Sequence, residues 1–166
     1  MDASQLKAMQ APFKERYKAD PGAAVLTLRA EGRLGEGVTC SVDTGKAMVE
    51  AGLHEATGGS GMSACSGDML LQALVACAGV TLNAVATALE LKVRGARIKA
   101  EGDLDFRGTL GVARDAPVGF SAIRLNFEID GDLTDEQRAT LMKLTERYCV
   151  VYQTLRAAPP IAVSSR

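Results

Sequence analysis

Tryptophan is absent, histidine occurs once, at His54, and aromatic residues are 4% of the 166. Any core must therefore be aliphatic. Neither sign of charge dominates, with 19 Lys and Arg against 20 Asp and Glu. No basic stripe interrupts that balance, which argues against a nucleic-acid partner. The opening MDASQLKAMQ lacks the basic segment and apolar run of a secretion signal. Four cysteines without such a signal lead to the expectation of reduced thiols in a cytoplasm. Cys40, Cys65, Cys77 and Cys149 form no CxxC pair, so a structural zinc site would need scattered thiols to converge. GxGxxG, P-loop and GxSxG patterns are all missing, which removes three familiar routes to dinucleotide, phosphate or serine chemistry. No cofactor and no metal are expected, and thiol chemistry is the leading option.

What the chain does have is one long apolar run, SGDMLLQALVACAGVTLNAVATALEL, from Ser66 to Leu91. It contains no proline, is rich in Ala and Leu, and opens on a plausible N-cap, Ser66, with Asp68 in the first turn. A helix of this length, roughly 38 Å, is long enough to span a bilayer. Gln72, Asn83 and Glu90 within it, and no Trp or Tyr at either end, argue for a core helix instead. Such a helix needs cover on several sides, from a sheet and a second subunit.

Around it the chain reads as follows. Residues 4–18 form a short amphipathic helix, interrupted or restarted at Pro12. Residues 24–30 and 38–42 are strands joined by the glycine-rich connection 32–37, and residues 47–53 are a third strand. The glycines of 57–61 make a connection into the long helix. Residues 92–106 are strand-like, a loop spans 108–117, and GFSAIRLNFEI at 119–129 is the clearest strand. Thr134 to Gln137 is a capping box that starts a helix carrying Leu141, Leu144 and Cys149. A short helix through Leu155 follows, then Pro159-Pro160 and a last strand, Ile161–Val163. Strands and helices segregated in this order indicate an α+β fold. No repeat or linker divides the chain, so one domain is expected over 1–166, with 1–22 as an N-terminal helical extension.

The order of elements from about residue 23 onward resembles the OsmC/Ohr family of peroxide-handling proteins. The local match is more specific. LLQALVACAGVTL resembles the family's apolar helix bearing a reactive cysteine, here Cys77, and ERYCVVYQTL places Cys149 in the context of the second family cysteine. The resemblance implies antiparallel sheets around a long central helix, in an intertwined homodimer with its active site at the subunit interface. It implies reduction of organic hydroperoxides by the cysteine pair, with recycling by a dithiol such as a lipoyl group. No membrane partner is implied.

That chemistry explains the residue types. A thiolate attacks the O–O bond, so the first cysteine needs a depressed pKa. Attack releases alcohol and leaves a sulfenic acid, which a second thiolate converts to a disulfide. By the resemblance Cys77 is the peroxidatic and Cys149 the resolving residue. Arg33 resembles the family's turn arginine, which holds the thiolate and orients the peroxide. Asp68 stands near the family's acidic partner to that arginine, although nine residues from Cys77 is about 180° around a helix. Val150 replaces the proline that follows the second family cysteine, so a helix continuous through Cys149 is one reading. By residues alone Cys77 is a buried inert cysteine on an Ala/Leu helix. Cys40 is core, Cys65 lies about 18 Å from Cys77 along the axis, and His54 is a surface residue. A non-catalytic module that binds a small hydrophobic ligand, or senses oxidation, is the alternative.

Overall fold

The computed structural model describes residues 2–19, 31–34, 39–43, 48–111 and 113–165. These residues belong to two compact units: Met1–Glu15, Ala73–Lys99 and Leu125–Arg166 form the first, Arg16–Gln72 and Ala100–Arg124 the second. The elements in order are α1 (Ala3–Ala19), β1 (Glu31–Leu34), β2 (Thr39–Asp43), β3 (Met48–Gly52), β4 (Ala64–Cys65), α2 (Ser66–Ala88), β5 (Val93–Leu104), α3 (Phe106–Thr109), β6 (Phe120–Gly131), α4 (Asp135–Tyr148) and α5 (Val150–Arg156). The α+β class is as expected from the segregation of strands and helices.

The first unit is organised by α2 and α4. Leu74, Ala78, Leu82, Val85 and Ala86 are the buried residues of α2, a single stripe at helical spacing. Leu82, Val85 and Ala86 pack with Leu141 of α4, and Val93, Phe127, Ile129 and Leu144 close around them. Among the described residues the rest of α2 is half-buried or exposed, with Leu70 and Val80 the exposed large apolar side chains. Its length and composition would let it cross a membrane. It ends where the sequence gives little warning. Glu90 takes a left-handed conformation, φ 54°, while Leu91 N–H bonds to Ala86 O at 2.9 Å and Glu90 N–H to Thr87 O at 3.1 Å. That is a Schellman ending with Glu in the position glycine usually takes.

α4 begins as its sequence demands. Gln137 N–H donates to Thr134 Oγ1 at 3.2 Å and Thr134 N–H donates to Gln137 Oε1 at 2.9 Å, the reciprocal capping box. β5 and β6 pair as a two-stranded sheet. Arg94 reaches Asp130 and Arg124 reaches Asp103, the cross-strand order of an antiparallel ladder.

The second unit holds a four-stranded sheet in the order β1-β2-β3-β4. Its first two pairings are antiparallel, and the last is a short parallel pairing, Ala51 with Ala64 and Gly52 with Cys65. Between β3 and β4 a turn of 3₁₀-helix, Glu55–Thr57, is capped by His54, whose Nδ1 accepts the Ala56 N–H at 3.0 Å. Glycine is obligatory at 59, where a Cβ would fall 1.7 Å from Leu53 O.

Four expectations are corrected, and one lies outside the described residues. α1 runs unbroken through Pro12, tolerating the one N–H that proline removes. Glu31–Leu34 is a strand rather than part of the glycine-rich connection, because Leu34 is already in register with Cys40, leaving only residues 35–38 between strands. Gly108 lies in α3 rather than in a loop, since Asp105 caps that turn by accepting the Arg107 N–H at 3.0 Å. Residues 161–163 form no strand. Ile161 and Val163 are exposed, and alternation without a neighbouring edge cannot make a ladder. The expected strand at 24–30 lies outside the described residues.

Candidate functional site

Cys77 sits halfway along α2, half-buried at the edge of the stripe that includes Leu74 and Ala78. One turn later Thr81 donates its hydroxyl to the Cys77 carbonyl at 2.8 Å. Cys149 occupies the joint between α4 and α5. Its N–H still bonds to Thr145 O at 3.0 Å, as in a helix, and its own carbonyl accepts the Gln153 N–H at 2.9 Å. Its backbone is extended between them, φ −72° and ψ 106°. One residue therefore ends one helix and opens the next. The reading of a helix continuous through Cys149 fails here, for a packing reason. Leu141, Thr145 and Cys149 form a stripe at four-residue spacing, 0%, 1% and 1% exposed, and a new helix axis begins once that stripe has entered the core.

The Cys77 and Cys149 thiols are neighbours, and each shifts the ionisation of the other. Partial burial pushes the Cys77 thiol up, but the N–H of Val151, the Cys149 thiol, the N–H of Val150 and the Thr81 hydroxyl outweigh it, holding Cys77 below the ordinary thiol value. Cys149 moves the other way. Burial raises it and the neighbouring Cys77 sulfur raises it further, against opposition from the N–H groups of Tyr152 and Val151. Two chemically identical thiols are thus shifted in opposite directions, Cys77 down and Cys149 up. Both are free. Loss of two electrons to an oxidant would convert this contact into a disulfide without any third thiol.

Peptide N–H groups, the Cys149 thiol and the Thr81 hydroxyl are what lower the Cys77 value. Arg33 lies on β1 with Ser41 as its register partner, so it is a strand residue and not a turn residue. Asp68 is in the first turn of α2 and belongs to the second unit. There it lines a cavity of about 360 Å³ with His54, Cys65, Leu71, Phe106 and Phe120. The His54 ring stacks on Phe106 at 5.0 Å. Cys65 pairs with no second thiol among the described residues, and nothing is described of the Cys40 side chain.

Sequence reasoning missed Thr81, Thr145 and the opening turn of α5. The spacing held a signal for the first two, since each lies four residues from a candidate cysteine and hence on its face. Thr145 Oγ1 is the buried side-chain oxygen without a hydrogen-bond partner among the described residues. A buried hydroxyl left so costs about 1–3 kcal/mol.

Residues 58–164, well over half the chain, match the model of the family described as OsmC-like protein. No curated protein sequence matches the chain. Among solved structures, an OsmC-like protein from Mycoplasma pneumoniae is similar at TM-score 0.66 and 16% identity, covering 80% of this chain and 89% of its own. An organic hydroperoxide resistance protein from Legionella pneumophila aligns at TM-score 0.63 and 16% identity, covering 80% and 91%. Another organic hydroperoxide resistance protein, from Elizabethkingia anophelis, gives TM-score 0.63 and 19% identity over 81% and 91%.

Proposed function

Since the chain belongs to the OsmC-like family, we propose that it is a thiol peroxidase that reduces organic hydroperoxides through Cys77 and Cys149. The observation that carries this reading is the neighbouring pair of free thiols, with Cys77 shifted toward thiolate and Cys149 away from it. The Cys77 thiolate attacks the distal peroxide oxygen, the O–O bond breaks, and the alkoxide leaves as alcohol after taking a proton. Cys77 becomes a sulfenic acid. The Cys149 thiolate then attacks that sulfur, hydroxide leaves as water after protonation, and a disulfide results. A dithiol, such as a lipoyl group, returns both cysteines to thiols.

The working form in this reading is a homodimer in the cytoplasm. Val80, one turn from Cys77, is 73% exposed and Val150, next to Cys149, is 69% exposed. Apolar groups so placed suit either a second copy of the chain or the alkyl part of a peroxide. Arg33 is proposed to steady the thiolate and orient the peroxide, with Asp68 as its acidic partner. The deciding experiment is consumption of cumene hydroperoxide with a dithiol by wild type, Cys77→Ser and Cys149→Ser. Turnover by wild type, its loss in Cys77→Ser, and a sulfenic acid trapped in Cys149→Ser are expected. No turnover with any dithiol, and no Cys77–Cys149 disulfide after peroxide, would refute the reading.

A second reading, a module that binds a small apolar ligand without turnover, is favoured by the cavity lined by Leu71, Leu104, Phe106 and Phe120. It predicts ligand retention that survives Cys→Ser changes at both 77 and 149.

A further inference from the structure

We propose that Thr145 is a positioning residue for the resolving step: its buried hydroxyl, without a partner among the described residues, becomes the donor to the Cys149 sulfur once Cys77 is oxidised. The inference rests on the assignment of Cys149 as the resolving thiol. Thr145 and Cys149 are each 1% exposed. The Cys149 N–H bonds to the Thr145 carbonyl, which places their Cβ atoms one turn apart on one face, about 5–6 Å from each other. Thr145 Oγ1 has no hydrogen-bond partner among the described residues, although hydroxyls are easily satisfied by rotation and buried ones rarely go without.

The redox cycle gives such a hydroxyl a use. In the dithiol form burial and the Cys77 sulfur hold the Cys149 thiol above its ordinary value, which disfavours an anion beside a neighbouring hydroxyl. Oxidation of Cys77 removes that negative sulfur. Cys149 must then lose its proton inside the core to attack, and a buried thiolate needs a donor. Thr145 carries a hydroxyl one turn away on the same face. The idle group of one state is the working group of the next.

The test uses the aromatic disulfide reagent 5,5′-dithiobis(2-nitrobenzoate) on the reduced full-length chain, so it needs no peroxide turnover. The Cys77 thiolate displaces one thionitrobenzoate anion and forms a mixed disulfide. The Cys149 thiolate then attacks the Cys77 sulfur, forming Cys77–Cys149 and releasing the second anion. Cys65→Ser and Cys40→Ser changes confine the signal to the pair. The second release should slow about tenfold at neutral pH in Thr145→Val, with its pH midpoint moved upward by about one unit. Thr145→Ser should keep both near wild type. A merely structural role would move neither the midpoint nor the ratio of second to first release. Thr145→Val should melt at or above the wild-type temperature, because it removes an unpaired hydroxyl; should it fail to fold, Thr145→Ala gives the same readout. A folded Val or Ala variant with an unchanged second phase and midpoint overturns the proposal. No second release from wild type overturns it too, and with it the Cys149 assignment.

Discussion

The two units each hold a thiol beside a helix, and in the first of them that thiol has a second thiol as its neighbour. In the second unit Cys65 immediately precedes the 23-residue α2 and borders a cavity with His54 and Asp68. In the first, Cys149 precedes α5, a helix of only 7 residues, yet meets a second sulfur and shifts it. What sets the first unit apart is a paired thiol with short-range N–H donors. Helix dipoles act within a turn and are screened by water, whereas a hydrogen bond to sulfur acts on one protonation state directly.

The comparison breaks most visibly at Cys77. Cys77→Ser should lower peroxide consumption by a factor of about 10³ or more, since oxygen cannot replace sulfur as the nucleophile, while Cys65→Ser should leave it unchanged. Equal losses in both variants would dissolve the distinction between the units. Next comes the packing beneath the pair. Leu141 is fully buried under the stripe that ends at Cys149, and Leu141→Ala should cost about 2–5 kcal/mol in denaturant unfolding.

Much of this was legible from local sequence, and the reason is physical. The capping box at Thr134 and Gln137 is closed by residues three apart, so no distant part of the chain can change its sense. Strand β6 has enough alternating positions to declare its period. The break at Cys149 has no such signature, because Val150 is compatible with continuing the helix and only the buried stripe decides the matter. β4 is two residues long, too short to have a period. Arg33 was misread as a turn residue because three nearby glycines pointed to a wider connection than the register leaves. The pair itself was found by resemblance, since no spacing rule brings residues 77 and 149 together.

Two smaller effects sharpen the comparison. Cys149→Ala removes a donor that lowers the Cys77 value, so the midpoint of Cys77 alkylation by iodoacetamide should move upward. In wild type the thiolate persists to a lower pH than a free thiol's. In the variant it is lost sooner as pH falls, and the rate at neutral pH should drop a few-fold, on the order of one pH unit or less of shift. An unchanged profile would mean that the peptide N–H groups act alone. Smallest is Glu90→Gly, which relieves a left-handed non-glycine residue and should stabilise the chain by about 0.5–1 kcal/mol in thermal unfolding, with the thiols unaffected.

The joint at Cys149 also makes the redox state readable along the backbone. α5 buries none of its residues, so it belongs to the part of the molecule that opens at least cost. Its first amides, those of Val150, Val151 and Tyr152, act on the two sulfurs. A disulfide carries no negative charge for them to hold. Amide hydrogen exchange in residues 150–152 should therefore speed up on oxidation and slow again with a dithiol, while the amides around Leu141 keep their protection. In such a molecule α5 is a loosening terminus whose rate of opening reports how many electrons the pair holds.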